Sequence, residues 1–204
     1  MSLWLYSSST YPCMNVLIIY GHPDIESFNF ALAEAYAIGA IETEATVRRL
    51  VLAKLKFDPN LRYGYRQRVD LEPDLVAAQE DLHWAEHLVW VYPVWWGSVP
   101  ALMKGFLDRV LLPGFAFTKR PGSPWWDKHF KGKTARLIYT MDQPAWYYRL
   151  RYGQPSTRAM REVTLNFIGV QRVRKTAIGP VRLSTNAWRK KWLSHVKALG
   201  KELR

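Results

Sequence analysis

The chain has 204 residues, of which 49% are hydrophobic and 23% charged, with a net charge of +12 and one cysteine. That length suits one well-buried domain rather than two, and the apolar share excludes a disordered chain. Charge or proline interrupts every apolar run within about ten residues, so no segment has the length of a membrane span.

Residues 1–13 are weakly apolar and have no basic residue ahead of their hydrophobic part, so no export signal is read there. Met14 directly precedes the first strand pattern, which marks residues 1–13 as an extension and 14–204 as the domain. Cys13 lies in that extension, cannot close an internal disulfide, and fits a cytoplasmic protein. Val16 to Tyr20 is a continuous apolar run ending at Gly21, as expected of a strand buried on both faces. Ser27 then caps a helical period from Phe28 to about Ile38. A second strand is expected over Ala45–Leu52, less buried because of Arg48 and Arg49, then a loop over 57–69 and a helix from Pro73 to Ala85. His87–Tyr92 is the third strand, ended by Pro93, and Pro100–Leu111 the next helix. Leu112–Lys133 reads as a long functional loop. Ala135–Thr140 and Gln171–Ala177 are the fourth and fifth strands, with helices expected over Thr157–Ile168 and Asn186–Leu203.

Strands alternating with helices imply a parallel sheet covered on both faces. The common doubly wound order 2-1-3-4-5 places a ligand crevice at the carboxyl ends of strands 1 and 3. The unusual residues cluster at those two ends. Gly21-His-Pro-Asp-Ile-Glu-Ser-Phe-Asn29 feeds a helix N-terminus, where free N–H groups and the positive dipole end suit a phosphate, with His22, Ser27 and Asn29 as side-chain donors. Read blandly, Ser27 is only a cap. The segment is neither a dinucleotide G-x-G-x-x-G fingerprint nor a Walker loop. Tyr92-Pro-Val-Trp-Trp-Gly-Ser-Val-Pro100 places adjacent tryptophans on an extended chain, where they point different ways; in a crevice they wall an aromatic ring, and Gly97 permits close backbone approach. Tyr139 to Tyr148 adds polar and aromatic groups at the same edge, with Asp142 either a turn residue or a ligand contact.

The motifs Gly-His-Pro-x-x-x-Ser-Phe-Asn and Tyr-Pro-x-Trp-Trp-Gly-x-x-Pro-Ala-x-x-Lys-Gly-Phe-x-Asp-Arg-Val resemble those of the NAD(P)H:quinone oxidoreductase family, which includes DT-diaphorase, over roughly Asn15 to the C-terminus. The resemblance implies a flavodoxin-like fold, non-covalent FMN or FAD, and a homodimer. Carried onto matching positions, it assigns His22, Ser27, Phe28 and Asn29 to the flavin phosphate and Pro93, Val94, Trp95, Trp96 and Gly97 to the isoalloxazine. Thr140, Met141 and Asp142 would complete the cofactor shell, and Tyr147 or Tyr148 would stand at the family's active-site tyrosine. One departure is that Asp142-Gln143 replaces the Gly-Gly pair often found there.

The expected reaction is two-electron, ping-pong hydride transfer from NAD(P)H through the flavin to a quinone or similar small acceptor. A flavin-binding regulator or electron carrier is the alternative, although such carriers are usually acidic. The basic balance is lopsided: residues 1–102 carry 7 Lys+Arg and 12 Asp+Glu, residues 103–204 carry 22 and 5. Without a recognised nucleic-acid motif, that asymmetry reads as a solvated face that steers anionic ligands.

Overall fold

The computed structural model describes residues 14–203; the extension 1–13, with Cys13, lies outside the described residues. Its main sheet is built from β1 (Asn15–Tyr20), β2 (Thr46–Val51), β3 (His87–Pro93), β6 (Thr134–Thr140) and β7 (Gln171–Ile178), all parallel, in the order β2-β1-β3-β6-β7. The expected count of five and the doubly wound order hold once two short strands are set aside. These two, β4 (Phe117–Lys119) and β5 (Trp126–Lys128), form an antiparallel hairpin in the stretch expected to be a loop. Three-residue strands are too short to show period-2 alternation, so pattern reading passes over them.

Alternation along the central strands sorts side chains into two apolar layers. Leu17, Ile19, Leu88 and Trp90 face α2 (Pro73–Trp84) and α3 (Ala101–Val110). Val16, Ile18, Val89 and Val91 face α1 (Phe28–Ile41) and α7 (Asn186–Glu202). The two helices of the second layer touch through glycine: a Cβ at Gly39 would lie 2.0 Å from the Lys197 carbonyl oxygen, and one at Gly200 2.2 Å from that of Tyr36. Two expectations after β6 change. The polar aromatic stretch there contains a helix, α4 (Ala145–Tyr152), closed by Gly153 at φ +66°. The helix expected from Thr157 starts two residues earlier as α5 (Pro155–Arg158), widens to π-helix over Ala159–Leu165 and ends as α6 (Asn166–Ile168). Pro155 supplies the preset first-turn φ that fixes the earlier start.

The loop before α2 is held down by a buried guanidinium. Arg109 donates to the carboxylate of Glu72 at 2.8 Å and to the Asp58 carbonyl at 2.5 Å. Burial works against the Glu72 charge, but the Asp58 amide and Arg109 outweigh it and keep its carboxyl below the usual range. No described helix is long and apolar enough to cross a membrane.

His87, fully buried at the start of β3, stands 3.1 Å from the Tyr36 hydroxyl and 2.7 Å from Thr134 Oγ1. Burial first, then Arg136 and Arg174, lowers its pKa from 6.5 to about 4. The unfolded chain therefore takes up the proton first. Stability is complete above pH 6.5 and falls as pH drops towards 4, by about 3 kcal/mol in total. Urea unfolding between those pH values should show this slope flattened in His87→Gln; an unchanged slope would assign it to other groups.

Candidate functional site

Strands β1, β3 and β6 end side by side at Tyr20, Pro93 and Thr140, and the three following loops converge there. Gly21 leaves β1 with its N–H on the Val91 carbonyl at 2.8 Å, in a space where a Cβ would lie 2.6 Å from Met103 Sδ. His22 Nδ1 accepts from the Asp24 amide at 2.9 Å, and Asp24 Oδ1 accepts from the Glu26 amide at 2.9 Å. Ser27 Oγ caps α1 by accepting from the Phe30 amide at 3.3 Å. The N–H groups of Phe28 and Asn29 are left without a partner among the described residues. The Phe28 ring itself turns towards α7, 6.3 Å from Trp188 and 5.6 Å from the Arg189 guanidinium, so at the loop Phe28 offers its amide. Asn29 is buried and donates to Thr140 Oγ1 at 2.8 Å, while its own Oδ1 has no partner.

After β3, the Val94 amide donates to the Thr140 carbonyl at 2.7 Å. Trp95 and Ser98 then exchange backbone bonds of 3.0 and 2.8 Å around Trp96 at φ +50° and Gly97 at φ +74°. Positive φ at both central positions is the pattern of a type I′ turn, which Gly accepts freely and Trp only with strain of about 1–2 kcal/mol. Trp96 is fully exposed, and its N–H and that of Gly97 have no partner among the described residues. Trp95 turns the other way and meets His22 edge-on at 5.3 Å, so the two tryptophans divide as their adjacency implied.

The loop after β6 closes the site. The Met141 amide donates to the Ile178 carbonyl at 3.0 Å, and Asp142 Oδ1 accepts from the Arg182 amide at 2.9 Å. Asp142 is therefore a turn anchor that also borders the cleft. Tyr148 is buried, its hydroxyl donating to Ser156 Oγ and accepting from the Ser156 amide, both at 3.1 Å. Tyr147 packs edge-on against Tyr152 at 5.5 Å and does not line the cleft. Beneath the floor, burial raises the Tyr92 and Tyr139 hydroxyls above their usual range, opposed in part by Ser156 and Thr157, so both stay neutral.

The result is a cleft of about 540 Å³ that brings together Val94, Trp96, Gly97, Met141, Asp142 and Tyr148. Pro93 and Thr140 lie buried behind it, and the His22–Asn29 loop joins it through Trp95 and Thr140. Gln143 lines it as part of the Tyr139–Tyr148 stretch expected at this edge, and Tyr152 and Pro155 also line it and were not anticipated. Gly153, a helix-ending glycine just after the Tyr147–Tyr152 run, was the available signal for Tyr152; nothing in the sequence marked Pro155. A hollow of about 570 Å³ lies elsewhere, between the 61–69 loop and β4, so volume alone does not locate the site. What distinguishes the strand-end cleft is its chemistry: aromatic and aliphatic walls, a close backbone turn with free N–H donors, and a capped helix start beside it. That set fits a flat ring with polar edge atoms and an attached phosphate.

The Asn29–Thr140 bond spans 111 residues and ties the two loops. Thr140→Val keeps the shape and removes the acceptor, leaving a buried amide unsatisfied at a cost of about 1–3 kcal/mol. Chemical denaturation should show that loss; a variant as stable as the parent would mean that the bond contributes nothing.

A family model described as flavodoxin-like fold matches residues 14–199. The chain is similar to the ribosyldihydronicotinamide dehydrogenase [quinone] of Rattus norvegicus, 28% identical over an alignment that covers 92% of each protein. It is also similar to a ribosyldihydronicotinamide dehydrogenase-like protein of Penicillium crustosum, 29% identical over 68% of this chain, and spans only 61% of that protein's length. Among solved structures, Smu.1420 of Streptococcus mutans superposes with a TM-score of 0.81 at 26% identity, covering 93% of this chain and all of that one. The chain belongs to the flavodoxin-like family, and the quinone-oxidoreductase resemblance carried by its two strand-end motifs is matched by the names of its relatives.

Proposed function

We propose that the protein is a flavin-dependent NAD(P)H oxidoreductase that reduces a quinone or a similar small acceptor. One observation carries this reading: the Trp96–Gly97 turn, with its unpartnered amides, lines an aromatic-walled cleft at the sheet's switch point, and the unpartnered amides of the α1 start lie in the adjoining loop, tied to it by the Asn29–Thr140 bond. A bound flavin, FMN or FAD, supplies two-electron chemistry between a reduced nicotinamide and the acceptor. The protein's part is to hold and shield. The Phe28 and Asn29 amides, with His22 and Ser27 beside them, take the phosphate. Trp96 flanks the ring while Trp95 packs on His22 at the phosphate side, the Trp96 and Gly97 amides bond the ring's polar edge, and Val94 and Met141 exclude water from its face. Donor and acceptor use the open side of the cleft in turn, which is the ping-pong order.

Tyr148 has its hydroxyl committed to Ser156, and Tyr147 lies outside the cleft, so neither presents a free hydroxyl to a substrate. We assign Tyr148 as a wall that positions the ring. Exposed Trp96, Trp146 and Leu150 support a homodimer that covers the mouth of the cleft. A cytoplasmic setting fits the nicotinamide donor.

The purified protein should take up FMN or FAD, show a flavin absorption band that NAD(P)H bleaches, and regain it when a quinone is added. A protein that binds neither flavin sinks the proposal. Tyr148→Phe should retain turnover within a few-fold, whereas a loss above a hundredfold would make the hydroxyl a proton donor. Trp96→Ala should weaken flavin binding about tenfold while changing stability by no more than about 0.5 kcal/mol, since the side chain is fully exposed.

A further inference from the structure

Among the described residues that line the strand-end cleft, Asp142 alone carries a formal charge; the others are apolar, glycine, glutamine or tyrosine. Its sign runs against its surroundings. Residues 103–204 hold 22 Lys or Arg and 5 Asp or Glu. Two of those acids, Asp108 and Asp127, pair with Lys104 and Arg120. Asp142 forms no ion pair with any described residue. Its Oδ1 accepts from the Arg182 backbone amide at 2.9 Å, and its Oδ2 has no partner among the described residues.

The chain that follows β7 holds this carboxylate in place. The Met141 amide donates to the Ile178 carbonyl and the Val181 amide to the Met141 carbonyl, both at 3.0 Å. Residues 178–182 therefore strap down the loop that carries Asp142. Gly179 lies against the same loop: a Cβ there would come within 2.9 Å of the Met141 carbonyl oxygen and nearer still to that of Gln143. With its backbone strapped and one oxygen on the Arg182 amide, the negative charge has a set place at the cleft wall.

A flat ring entering an apolar-walled cleft displaces water, and a charge on the wall then acts through a lower dielectric than at an open surface. An anionic group brought beside Asp142 is repelled, and an uncharged ring is not. Quinone and reduced nicotinamide rings are both uncharged, and a dinucleotide carries its phosphates on an arm remote from the reacting ring. Resting on the oxidoreductase reading above, we propose that Asp142 is a specificity-determining residue. Its carboxylate admits uncharged quinones to the cleft and disfavours acceptors that carry an anionic group on the ring.

The test compares 1,4-naphthoquinone with its 2-sulfonate on the flavin-loaded protein. Asp142→Asn removes the charge and keeps an oxygen for the Arg182 amide. In this variant the ratio of kcat/KM for the neutral quinone to that for the sulfonate should fall on the order of tenfold. The sulfonate alters the quinone's own reactivity equally for parent and variant, so the change in ratio belongs to the side chain. Asp142→Glu keeps the charge and should keep the parent's ratio. Should Asp142→Asn fail to take up flavin, Asp142→Ser supplies the uncharged variant.

A binding measurement stands apart from turnover. By calorimetry on the oxidised, flavin-loaded protein with no donor present, the sulfonate should gain affinity relative to the neutral quinone in Asp142→Asn by a similar factor. A ratio unchanged in Asp142→Asn, or one that falls as far in Asp142→Glu, would overturn the proposal. So would a ratio that falls in Asp142→Ala but not in Asp142→Asn, which would make Asp142 a loop anchor only. A protein that reduces neither quinone fails at the oxidoreductase reading and takes this proposal with it. A protein that reduces the neutral quinone, with a ratio indifferent to the charge at residue 142, fails only here.

Discussion

The bond from Asn29 to Thr140 joins the two ends of the site. Asn29 lies in the first turn of the helix after β1; Thr140 ends β6, two strands away, and its carbonyl also receives the Val94 amide after β3. One residue thus ties the loops after three strands. In a parallel sheet those loops leave at the same edge, and a polar side chain buried among them must be partnered or costs free energy. Thr140 supplies the partner. The arrangement holds the phosphate-side loop and the ring-side turn at a set separation, which a ligand spanning both requires.

That tie works because its supports are rigid. α1 cannot drift, since Gly39 and Gly200 bring it so close to α7 that an added Cβ would collide with main-chain carbonyls. On the other face, Arg109 reaches from α3 to the main chain of the 58–70 loop and the Glu72 carboxylate, in surroundings where an unpaired charge would be strongly unfavourable. At the site itself, Trp96 holds a left-handed backbone conformation at the tip of the turn, where it buries nothing of its own. A strained and fully exposed aromatic side chain suits contact with a ligand or partner better than it suits the fold.

Most of this architecture was legible in the residues because the central strands are long, apolar and bounded by glycine or proline. Val16–Tyr20 and His87–Pro93 admitted little else, and the switch-point rule then located the cleft. Legibility failed where structure depends on contacts between distant segments. The β4–β5 hairpin is too short to show a period, α4 hides in a run of aromatic and basic residues, and Pro155 reaches the cleft only through tertiary placement. The tyrosines illustrate the same limit. Position alone could not tell Tyr148, buried with its hydroxyl on Ser156, from Tyr147, turned towards Tyr152.

The central claim is that the strand-end cleft, and not the larger hollow beside β4, receives the flavin. Titrating isotope-labelled protein with FMN and following backbone amide resonances tests it directly. The account predicts that the amides of Phe28, Asn29, Trp96 and Gly97 shift most, because they are the free backbone donors of the two strand-end loops. Shifts centred instead on residues 61–69 and the Phe117–Lys119 strand would contradict it and move the site to the other hollow.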